Sequence, residues 1–90
     1  MPAHQYNLLQ MTILASLPQV DEEGQGDYQT AQGLKLAQDA HPLVAQASLR
    51  SLRAHLGILV KTGACIRLRS YHGRTKVSTA CYAVQPVKRA

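Results

Sequence analysis

Apolar residues recur at three- and four-residue intervals along most of this chain as far as Gly63, and at every second position beyond it. The first spacing marks helices with one buried face, the second half-buried strands. Tyr6, Leu9, Ile13 and Leu17, with Leu14 beside them, predict a helix over residues 4–17 whose polar side carries Gln5, Asn7 and Gln10. Pro18 ends it, because the residue before a proline is pushed out of helical geometry. The acid- and glycine-rich stretch 18–29 reads as a surface loop. Thr30 is of the type that caps a helix start, and Ala31, Leu34 and Ala37 share one side, so a short second helix is expected over 30–39.

His41-Pro42 is either an extended break or the entry to a further helix, since proline suits a first helical position. From Ser48 onward Leu49, Leu52, Leu56, Leu59 and Val60 give the strongest helical repeat in the chain. A third helix is expected over 48–62 with Ser48 as its cap, although a start at Pro42 stays open. Lys61 complements the helix dipole, and Gly63 is of the type that ends a helix in left-handed geometry. Ile66 and Leu68 then alternate with Cys65, Arg67 and Arg69, the run 77–84 is rich in strand formers, and Tyr71–Thr75 is a turn signal. Residues 65–84 are therefore expected to form a hairpin followed by a basic tail, 85–90. With the turn centred on Gly73, Cys65 would face Cys81, placing both thiols on an outer face with Arg67, Arg69 and Thr79. Ile66, Leu68, Ala80, Tyr82 and Val84 would form the core face, and the adjacent thiols would make a redox switch conceivable.

Ninety residues suffice for one domain with a modest core, which Leu, Val, Ile and four Tyr must fill in the absence of Trp and Phe. Residues 1–90 are read as that single domain. The net charge of +5 is unevenly spread. All five acidic residues precede position 40, and Lys35 is the only cation before Arg50. A purely cationic half repels itself and is best explained by a polyanionic partner. No apolar run has the length of a membrane span, and the N-terminus has no signal-peptide pattern, so no membrane partner and a cytoplasmic location are expected. The cysteines are expected as free thiols. His4, His41, His55 and His72 form no recognisable ligand spacing and no carboxylate pair lies in the basic half, so no catalysis, cofactor or metal is expected.

The segment SLRSLRAHLGILVKTGACI, Ser48–Ile66, resembles the recognition helix and first wing strand of the winged helix-turn-helix family of bacterial, phage and plasmid transcription regulators, and the likeness extends over residues 4–84. Leu52, Leu56 and Leu59 match its core positions, and Gly63 the glycine that turns helix into strand. The resemblance implies an α+β winged helix-turn-helix, three helices followed by a two-stranded hairpin wing, acting in sequence-specific, repressor-like regulation. The stretch 37–51 is longer than a tight helix-turn-helix.

Independently of the resemblance, turning the leucines inward leaves Gln46, Arg50, Arg53, Ala54, Gly57 and Lys61 on the outer half of the third helix, with Ser48 and Ser51 also among the DNA-facing positions. Arg and Gln can read base edges, and small Ala54 and Gly57 would let the helix sit deep in a major groove. Arg67, Arg69, His72, Arg74 and Lys76 around the hairpin suit phosphates. Double-stranded DNA is the expected partner, bound by a homodimer formed through the first helix, where Leu8 and Met11 are apolar candidates. The rival reading is a winged helix that docks on another protein. Single-stranded RNA is a third, disfavoured by the scarcity of aromatic stacking platforms.

Overall fold

The computed structural model describes residues 5–72 and 77–84, and for residues 70–72, 77 and 78 the backbone alone. Its elements are α1 (Leu8–Ser16), β1 (Gln29–Thr30), α2 (Ala31–Leu36), α3 (Pro42–Gln46), α4 (Leu49–Lys61), β2 (Cys65–His72) and β3 (Val77–Val84). The strands form one antiparallel sheet in the order β1-β3-β2. Among the described residues the architecture is thus α+β with four helices and three strands, in place of the expected three helices and two.

Each helix boundary has a local cause. Asn7 Oδ1 accepts from the Gln10 amide at 2.8 Å while Gln10 Oε1 accepts from the Asn7 amide at 3.1 Å, a reciprocal cap that starts α1 at Leu8, later than expected. Leu17, before Pro18, is extended and ends it. Thr30 caps α2 by accepting from the Gly33 amide at 2.9 Å. That helix stops at Leu36 rather than near residue 39, because Ala37 is extended and a turn closes from Ala37 to Ala40. His41 Nδ1 then accepts from the Leu43 amide and Pro42 opens α3, the alternative left open at that proline. Lys35 Nζ donates to the Ala45 and Ala47 carbonyls, both at 2.7 Å, tying α2 to the end of α3.

Ser48 caps α4. At the other end Gly63 takes φ +85°, its amide donating to the Val60 carbonyl and the Ala64 amide to the Leu59 carbonyl. This pair of hydrogen bonds around a left-handed glycine is the Schellman termination, and it turns the chain directly into β2. Ile13, Val44, Leu52, Leu56 and Leu59 are fully buried at the centre of the core, which Cys65 and Tyr82 close from the sheet. Gln10, expected on the polar side of its helix, is buried among them.

The hairpin register departs from expectation. Cys65 pairs with Val84, Arg67 with Tyr82, Leu68 with Cys81, Arg69 with Ala80 and His72 with Val77. Cys65 therefore meets a partner three residues beyond Cys81, and an odd shift turns every β2 side chain to the other face. Cys65, Arg67 and Arg69 share the face of Ala80, Tyr82 and Val84, while Ile66 and half-exposed Leu68 share the opposite one with Cys81. The two free cysteines lie on opposite faces, which removes the geometry for a cross-strand disulfide.

The acidic stretch is built into the sheet at both ends. Val84 donates its amide to the Pro18 carbonyl and accepts from the Val20 amide, and β1 pairs with Tyr82 and Cys81. Between these anchors Asp21 Oδ1 accepts from the Glu23 and Gln25 amides, and Val20 is buried.

Candidate nucleic-acid interface

Three fully buried leucines fix the rotation of α4, and the opposite stripe follows from helical periodicity. Arg50, Ala54 and Lys61 are exposed on it. Gly57 lies between them, with nothing within 4 Å of the place a Cβ would occupy. The result is a cationic helix face with a flat centre. Ser48 and Ser51 stand at its start, but the Ser48 hydroxyl is occupied by the Ser51 amide at 3.1 Å. Gln46 is exposed but ends α3, across the extended break at Ala47, so it is not on the same helix as expected.

The two flanks of α4 differ. On one, His55 reaches α1, its Nδ1 at 3.1 Å from Gln10 Nε2. On the other, exposed Arg53 looks over the sheet and lines an open concavity of about 490 Å³ with Thr30, Gln32, Arg67, Arg69 and Tyr82. The inverted register creates this arrangement. On β2 the face that supplies Cys65 to the core continues past the edge of the helices as Arg67 and Arg69, both exposed. Among the described residues none accepts a hydrogen bond or forms an ion pair with Arg50, Arg53, Arg67 or Arg69. The acidic stretch is anchored beside Val84, whereas Arg69 pairs with Ala80, four residues nearer the hairpin tip.

Tyr82 sits opposite Arg67 and is 4% exposed. Its hydroxyl has no hydrogen-bond partner, yet no side-chain oxygen is sealed inside the protein without one among the described residues, so the hydroxyl is an atom that Tyr82 presents at its surface. Tyr82 is one of the residues that line the arginine concavity. Burial pushes the Cys65 thiol up from 9.0 to about 11, and the Arg67 charge opposes that rise. Cys65 is thus a protonated core residue at neutral pH, unsuited to redox sensing.

Of the sequence-derived candidates, the structure brings Arg53, Arg67 and Arg69 together and aligns Arg50, Ala54 and Lys61 on one stripe. His72 ends β2 opposite Val77, and Arg74 and Lys76 lie outside the described residues. Thr30, Gln32 and Tyr82 were not among the candidates. Their signal would have been a register in which His72 faces Val77, which places Arg67 across from Tyr82. Among the described residues no three His, Cys, Asp or Glu side chains are gathered as a metal site, and no helix is long and apolar enough to cross a membrane. No protein-family model matches the sequence, and no curated relative or solved structure is found similar to it.

Proposed function

We propose that this protein is a double-stranded DNA-binding regulator of the winged-helix type, with α4 in the major groove and the β2–β3 hairpin along the adjoining backbone. The observation that carries this reading is the meeting of two unpaired cationic surfaces, the α4 stripe of Arg50 and Lys61 and the Arg53–Arg67–Arg69 cluster. Small residues at the centre of the stripe suit close approach to base edges, and arginine there can bind guanine bidentately. A cluster of unpaired arginines beside it suits phosphates, which supply most of the affinity and fix the register.

Two copies meeting through α1 complete the proposal. That helix carries no charged residue and exposes Leu8 by 67% and Met11 by 57% on a chain of net charge +5, so it is the face on which copies repel each other least. A two-fold pair would read a palindromic site.

The test is fluorescence anisotropy with a random duplex at two salt concentrations, followed by selection of bound sites from a random pool. Binding that falls steeply with salt and a palindromic consensus are expected. No binding at low salt would overturn the reading in favour of a protein-docking module.

A further inference from the structure

Arg53 lies on the same helix as Arg50 but serves a different surface. Arg50 is on the outward stripe of α4, while Arg53 turns toward the sheet and shares its concavity with Arg67 and Arg69. Three arginines lining one concavity that has no carboxylate among its lining residues is a costly arrangement for an isolated protein, because like charges repel and nothing in the packing requires them. A second observation points the same way. Tyr82, almost wholly buried, lines the same concavity, and among the described residues its hydroxyl has no hydrogen-bond partner. An O–H that is not committed within the protein is free to donate to an acceptor seated beside the arginines.

Planar guanidiniums with several donors and a neutral O–H donor match one ligand chemistry, the phosphate group, whose oxygens accept from all of them. We propose that the concavity between α2, α4 and the sheet is a phosphate site, and that in the DNA complex it seats a phosphodiester of the duplex backbone. This rests on the DNA-binding reading and divides the labour of α4: Arg50 faces the groove, whereas Arg53 grips the strand beside it. The sheet then acts through its concave, helix-side face as well as through its tip. Gln32, exposed at the rim, adds a neutral polar contact.

The experiment compares wild type, Arg53→Ala and Tyr82→Phe by anisotropy on a preferred and a random duplex across a salt series, with melting temperatures checking that each variant folds. Arg53→Ala should weaken binding to both duplexes by the same factor. It should also flatten the slope of log affinity against log salt by about 0.9, the counterion release of one phosphate. Tyr82→Phe should weaken both about fivefold with the slope unchanged, since a neutral donor releases no counterion. Wild-type binding with an unaltered slope and affinity in both variants would overturn the site while leaving the DNA reading intact. If wild type binds no duplex at all, calorimetry with pyrophosphate decides. Binding abolished by Arg53→Ala would support a phosphate site served by a free phosphorylated ligand, and no heat would overturn the site itself.

Discussion

Gln10 Nε2 lies 3.1 Å from His55 Nδ1, a polar link between α1 and α4 at the edge of an otherwise apolar core. Its direction is fixed by the helix cap, because Gln10 Oε1 already accepts from the Asn7 amide. The carboxamide therefore presents its N–H to the histidine, and Nδ1 must accept. The tautomer of the His55 ring that fits this bond carries its proton on Nε2. Nitrogen-15 spectra should show Nδ1 as the unprotonated, pyridine-like nitrogen of the neutral His55 ring, and the Nδ1-protonated tautomer would contradict the arrangement. Gln10→Ala should cost about 1–3 kcal/mol in urea unfolding, since it removes the side-chain half of the reciprocal cap and the link to His55.

Lys35 is the one cation of the acidic half, and its ammonium is committed to the Ala45 and Ala47 carbonyls. Lys35→Met keeps much of the stem and removes the charge-assisted bonds. A loss of about 1–2 kcal/mol in stability is expected, with DNA affinity at low temperature unchanged. An affinity loss without a stability loss would move Lys35 into the interface.

Arg50→Ala should weaken binding to the preferred duplex by about 1–3 kcal/mol more than to random DNA, the signature of a base-edge contact. Equal losses on both would reduce Arg50 to a phosphate contact. The paired reversal Glu22→Lys with Glu23→Lys should leave stability and affinity unreduced, because both side chains are exposed in the anchored acidic turn.

The Cys65 thiol gives a pH dependence whose sign follows from burial. Its folded value of about 11 exceeds the ordinary 9.0, so folding favours the protonated thiol. That contribution is complete below pH 9 and fades as pH rises toward 11. The gap in unfolding free energy between wild type and Cys65→Ala should be constant from pH 7 to 9 and shrink above it. A thiol reagent at neutral pH should label half-buried Cys81 before Cys65.

What the sequence revealed follows the range of the forces involved. Caps at Thr30 and Ser48, the break at Pro18 and the stop at Gly63 are set by a few adjacent residues, and these were legible. So was the cationic stripe on α4, because Leu52, Leu56 and Leu59 give its rotation directly. The strand β1 was not, since two residues show no alternation. The face of β2 was misread because Ile66 and Leu68 look like core residues, whereas the core takes Cys65 and the helix-side face passes to Arg67 and Arg69. That choice depends on whether the turn holds an odd or even number of residues, which apolar alternation does not encode. Tyr82 was placed on the correct face of its own strand, but its relation to the arginines was lost with the register.

The strand order leaves β2 at the border of the sheet, eight residues long, with one row of backbone groups unpaired within the described chain. Such a border is a template on which another chain can extend the sheet. Arg67 and Arg69 sit on that strand as charges facing the concave side, and two copies brought edge to edge would stack like charges at adjacent positions. The residues proposed to contact DNA would thus also guard this edge in the unbound protein. Replacing both by alanine would trade a loss of affinity for a tendency to grow fibrils, and the duplex, by occupying that face, would act toward the free protein as a chaperone.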